Sequence, residues 1–141
     1  PKPGPTRSAV SKGRYDIVAY WKSGKPRAAI EVKSPVNALA KQKFDKDFNR
    51  LIETMNGHPD AKFQYGIFLF LTVKKGRGSD FAKAKLEIDG LVKKLGEEAV
   101  AMSNKKTNGR IKVLQYEGKS YSLRTEDAQG AWRVSALVFK R

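Results

Sequence analysis

Hydrophobic and polar positions change their period several times along the chain, and each change marks an element. Tyr15 to Trp21 (YDIVAYW) and residues 27 to 33 (RAAIEVK) are rich in aromatic and β-branched side chains, the composition of strands. KSGKP between them supplies turn residues, so the two runs predict a β-hairpin. From Asn37 to about Met55 the period becomes helical: Leu39, Ala40, Phe44, Phe48, Leu51, Ile52 and Met55 recur at spacings of three and four. Asn37, just after Pro35, is the expected N-cap and Gly57 the expected stop.

Gln64 to Val73 (QYGIFLFLTV) is apolar almost throughout, which predicts a central strand buried on both faces. KKGRGS reads as a loop, and Asp80 to about Leu95 as a second helix ending at Gly96. After a polar stretch, RIKVLQY and SYSLR around the turn EGK suggest a second hairpin, and WRVSALVFK a closing strand. The first fourteen residues, PKPGPTRSAVSKGR, are rich in Pro, Gly and cations and read as an extended basic arm. Residues 15 to 141 then form a single α/β domain, a mixed central sheet flanked by helices.

Charge changes this picture from a fold to a partner. Lys and Arg number 29 against 14 Asp and Glu in 141 residues, a net charge of +15. Such a balance in a folded domain favours polyanions, above all nucleic acid, with DNA the first expectation. No apolar run approaches the 18 or so residues of a membrane span, and there is no secretory core segment. The absence of cysteine removes disulfides and thiolate metal sites and fits a cytoplasmic protein.

The hairpin concentrates charge at one point. Asp16 and Glu31 lie opposite each other if the turn is centred between Ser23 and Gly24, where the turn residues are. Directly opposed residues on antiparallel strands share a face, with Cβ atoms roughly 4.5–5.5 Å apart. Lys33, two residues beyond Glu31, lies on that face too. Two close carboxylates call for a cation between them. A hard divalent ion such as Mg²⁺ suits carboxylates plus water and a phosphate oxygen, and it activates the water. A neighbouring lysine orients that water or neutralises charge building on phosphorus. The set therefore points to metal-assisted phosphodiester hydrolysis; the plain alternative is a cross-strand salt bridge between Lys33 and Asp16.

Asp16, fourteen intervening residues, then Glu31-Val32-Lys33 on a hairpin followed by an amphipathic helix, resembles the PD-(D/E)XK nuclease superfamily. The resemblance covers about residues 13 to 73. It implies a restriction-endonuclease-like fold and a Mg²⁺-dependent endonuclease, with Mn²⁺ able to substitute. It also implies that Asp16, Glu31 and the Val32 carbonyl hold the metal, that Lys33 is the catalytic lysine, and that a homodimer or larger nuclease assembly is possible. Tyr15 stands where the family name has proline. Many members add a glutamate from a preceding helix, but residues 1 to 15 hold no acid. Either that helix lies upstream of Pro1, or two carboxylates suffice. A non-catalytic nucleic-acid-binding module and an inactive nuclease-fold subunit remain the rival readings.

Other motifs weigh less. Glu117-Gly118-Lys119 also matches Glu-x-Lys but sits at a turn, with no aspartate near enough upstream to share a hairpin with it. Lys43, Asp47 and Arg50 share one helix face, either as an exposed ion-pair ladder or with a cation near the scissile phosphate. Lys46, Lys74, Lys75 and Arg77 are further candidates for phosphate contact. His58, the one histidine, excludes paired-histidine zinc sites. Trp21, Tyr116, Tyr121 and Trp132 are either core aromatics or stacking partners for bases.

Overall fold

The computed structural model describes residues 15–36, 41–56, 63–76 and 80–141. The expected arm at 1–14, Asn37, Gly57, His58 and Arg77 lie outside those residues, as does the Lys43 side chain. The elements run β1 (Ile17–Tyr20), β2 (Pro26–Lys33), α1 (Lys41–Asn56), β3 (Tyr65–Gly76), α2 (Phe81–Thr107), β4 (Lys112–Glu117), β5 (Tyr121–Arg124) and β6 (Gln129–Lys140). The strands form one mixed sheet in the order β1-β2-β3-β6-β4, with β5 also against β6. β2 and β3 are parallel and joined through α1; the other pairings are antiparallel. Among the described residues no helix is long and apolar enough to cross a membrane.

The hairpin has the register that its turn predicts. Ile17 faces Ile30, Val18 faces Ala29 and Ala19 faces Ala28, each pair summing to 47 as Asp16 and Glu31 do. The reversal is tight because Gly24 adopts φ +81°, in the left-handed region that glycine tolerates, and donates to the Trp21 carbonyl.

Of the stripe the spacing predicts, Phe44, Phe48, Leu51, Ile52 and Met55 are buried in α1, while Leu39 and Ala40 lie outside the described residues. Phe44 and Phe48 meet Phe68 of β3 edge-on, and Phe48 reaches Phe139 of β6. Phe68 pairs directly with Leu137, and Gly66 with Phe139, so these side chains share one face of the sheet. α2 packs on that same face, with Gly96 close against Leu137. Both helices therefore cover one side.

Four expectations are corrected. β3 is central, but its burial alternates: Gly66, Phe68, Phe70 and Thr72 are buried, while Ile67, Leu69 and Leu71 are only half-buried because no described element covers their side. β3 also continues through Lys74, Lys75 and Gly76, where a loop was expected, because β6 pairs with it to the end. Gly130 makes that pairing possible, since a Cβ there would strike the Lys74 carbonyl. α2 does not stop at Gly96 but runs to Thr107. Gly96 is buried against β4, where a Cβ would meet Gln115. The true ends are Asp80, whose carboxylate accepts from the Lys83 N–H, and Asn108 at φ 51°. Finally, β4 and β5 do not form a hairpin with each other; both pair with β6.

Candidate active site

β2 ends beside β3 with Glu31 opposite Phe68 and Lys33 opposite Phe70. Both charged side chains belong to the face beneath α1, since they alternate with the exposed Val32. An unpaired carboxylate there would be costly, and α1 answers it. Arg50 forms an ion pair with the buried Glu31. Lys33 Nζ lies 3.2 Å from Asp47 Oδ2, and Asp47 is itself buried. Asp47 and Arg50, read as part of a possible exposed ladder, thus turn inward, one turn of α1 matching the two charges of β2 in opposite order.

Tyr15 supports this cluster from below. It is buried, donates to the Arg50 carbonyl at 3.1 Å, and shares a short hydrogen bond with Thr54. Its ring lies 4.9 Å from the Arg50 guanidinium carbon. Burial pushes the Tyr15 hydroxyl above its usual range, partly offset by the Thr54 hydrogen bond and the Arg50 charge. Tyr15 therefore anchors the arginine paired with Glu31.

Asp16 sits one residue beyond the first paired residue of β1. Its carboxylate does not lie flat against Glu31; instead Oδ2 accepts the Val32 N–H at 2.7 Å. In a strand the N–H and C=O of one residue project toward the same neighbour. The Val32 carbonyl therefore points to the edge that Asp16 occupies, where β1 pairing has ended.

The donor chemistry fits a hard cation. Asp16 has one oxygen engaged by Val32, leaving Oδ1. Glu31 Oε1 and Asp47 Oδ2 are buried and make no hydrogen bond, although each faces a cation. Arg50 Nε is likewise buried without a hydrogen-bond partner. Oxygen donors of this kind suit Mg²⁺ or Mn²⁺. Among the described residues no three acidic or histidine side chains form a closed metal cage.

Of the phosphate-contact candidates, Lys46 is exposed on α1, Lys75 is exposed on β3 and Lys74 is half-buried. Arg50 is half-buried and engaged with Glu31. The aromatic candidates are not core: Tyr121 stacks on Trp132 at 4.7 Å on the uncovered face, and Trp21 carries Arg27 over its ring at 4.1 Å. Sequence reasoning missed Tyr15 and Asp47 as members of the site. The signal was available in β2, because Glu31 and Lys33 at a buried strand end require opposite charges on whatever covers them. No family model, curated protein or solved structure matches the chain.

Proposed function

We propose that this chain is a divalent-metal-dependent endonuclease acting on DNA, with a restriction-endonuclease-like core. One observation carries the reading: Glu31, a buried carboxylate paired with Arg50, stands on the strand face that also bears Lys33 and next in sequence to the Val32 amide that Asp16 binds. The place is apt as well, since open α/β sheets bind ligands beyond the carboxyl ends of parallel strands. Asp16, Glu31 and the Val32 carbonyl would hold Mg²⁺, which when bound supplies an activated water and a polarised phosphorus centre. Lys33, steadied by Asp47, orients the water or neutralises developing charge. Arg50 neutralises Glu31 inside the fold and would be free to face a phosphate oxygen if Glu31 held the metal instead.

A second reading has its own support. Glu31 and Lys33 each already face an opposite charge, which is also how a purely structural network is arranged in a non-catalytic nucleic-acid-binding module or an inactive nuclease-fold subunit. The decisive experiment is a panel of single-stranded, duplex, nicked and branched DNA and RNA, with and without Mg²⁺. The nuclease reading expects cleavage only with metal, lost in Asp16→Ala and Glu31→Ala while binding persists. Binding without cleavage of any substrate supports the second reading instead. In either case the +15 charge makes affinity fall steeply with salt; a flat dependence removes the nucleic-acid partner altogether.

A further inference from the structure

The side of the sheet away from α1 and α2 is apolar, and no element among the described residues covers it. Along β3 and β6 every second residue points there, including Ile67, Leu69, Leu71, Val134, Ala136 and Val138, with no charge among them. Val134 is 41% exposed and Tyr116 of neighbouring β4 57%. A strand apolar at every position, as β3 is over GIFLFL, belongs to a sheet covered on both faces. Here the helices supply one cover only.

We infer that the second cover is another copy of this chain, packed sheet to sheet. The dimensions are adequate. The six strands have 4, 8, 12, 6, 4 and 12 residues, and at about 3.3 Å per residue and about 4.8 Å spacing they give a face of roughly 730 Å², close to the ~800 Å² per partner of a standard stable interface. The chemistry selects the occupant. Lys75, Lys112 and Lys140 stand toward the ends of the face, and its middle offers no cation to a phosphate or to an acidic protein. A second copy presents the same uncharged aliphatic surface, and sheets packed about 10 Å apart around a two-fold axis make such a surface self-complementary. Both candidate active sites then lie beneath α1 on the outer sides. Nothing in this assembly depends on hydrolysis.

Salt gives it a signature opposite to nucleic-acid binding. Two chains at +15 repel through solvent, and salt screens that repulsion while leaving apolar contact intact. Dimerisation therefore strengthens with salt. The test is sedimentation velocity and light scattering of the whole chain across concentration and salt, beside Val134→Glu and Leu114→Glu. Both positions are partly exposed, so an isolated subunit can hydrate the new carboxylate, and circular dichroism with thermal unfolding checks that each variant folds. The expected result is twice the 15.8 kDa chain mass for the parent and at least tenfold weaker association for each variant. A parent that stays monomeric at every concentration overturns the inference, as does a dimer that both variants leave intact. A monomeric parent whose affinity for single-stranded nucleic acid falls in Val134→Glu overturns it in favour of a stacking platform on Tyr116, Tyr121 and Trp132.

Discussion

Two charge clusters are buried beneath the helices, and they are built with opposite polarity. Between α2, β4 and β6 the buried member is a cation: Arg133 is 3% exposed, and its guanidinium donates to Ser120, Asp89 and Glu117. Its acidic partners stand toward solvent, Glu117 at 45%. Between β2 and α1 the buried member is an anion: Glu31 is 3% exposed, and the cations are the outer members, Lys33 at 28%. The first cluster satisfies the charge it buries with hydrogen bonds. The second buries carboxylate oxygens that face positive charge without hydrogen bonds. Desolvated ions persist when their hydrogen bonds are made, so the first behaves as a clamp, and the second is the cluster to which the proposed function assigns a metal.

The sharpest break comes at Glu31. Glu31→Gln keeps the shape but halves the negative charge available to a cation, and single-turnover cleavage with Mg²⁺ is expected to fall to background. Its unfolding free energy should fall by about 1–3 kcal/mol, because Arg50 loses its charged partner while staying half-buried, so cleavage is read per folded molecule. Cleavage at the parental rate would make the two clusters equivalent.

Lys33 comes next. Lys33→Ala is expected to slow cleavage by about 10²–10⁴-fold, the range for losing proton transfer or charge stabilisation. Metal binding, followed by titration calorimetry, persists because Asp16 and Glu31 remain. A rate within a few-fold of the parent would reduce Lys33 to a partner of Asp47.

Arg133 inverts the pattern. Arg133→Ala deletes hydrogen bonds between charged groups and should cost about 1–3 kcal/mol in urea unfolding, with cleavage per folded molecule unchanged. A loss of activity without a loss of stability would contradict the clamp.

The smallest effect concerns pH. Burial works against the Asp89 carboxylate, but the Arg133 and Lys85 hydrogen bonds and charges outweigh it and hold the group below its usual range. A depressed folded value contributes stability above the unfolded value near 4, and that contribution disappears as pH falls through the folded value. Asp89→Asn should therefore lower the urea midpoint slightly at neutral pH, with parent and variant converging at strongly acidic pH. Curves separated by the same amount at every pH would remove Asp89 from the clamp.

The sequence made some of this legible because local chemistry and tertiary structure agreed. The turn at Ser23 and Gly24 set the register that places Glu31 and Lys33, and the α1 stripe matched its buried face. Where neighbours decided, it was silent. Gly96 resembles a helix stop until β4 lies against it, and Lys74 and Lys75 resemble a loop until β6 extends the ladder. The alternating burial of β3 was invisible because its uncovered residues are as apolar as its covered ones. Asp16 was placed opposite Glu31 by register, yet its carboxylate turns to the Val32 N–H, a choice between side-chain rotamers that spacing does not encode.

The pairing of β6 also sets the order in which the molecule can be completed. β3, β4 and β5 all close on that one strand, and residues 65 to 76 of β3 meet partners that lie 53 to 75 positions later in the chain. At roughly 5–20 residues per second of synthesis, β3 waits several seconds for its neighbour. During that interval GIFLFL is an unpaired apolar edge, the kind of segment that recruits other chains. The stretch between β3 and β6, which carries α2 and two short strands, is thus a delay as well as a connection, and conditions that slow translation should raise the demand for chaperones more than conditions that slow folding.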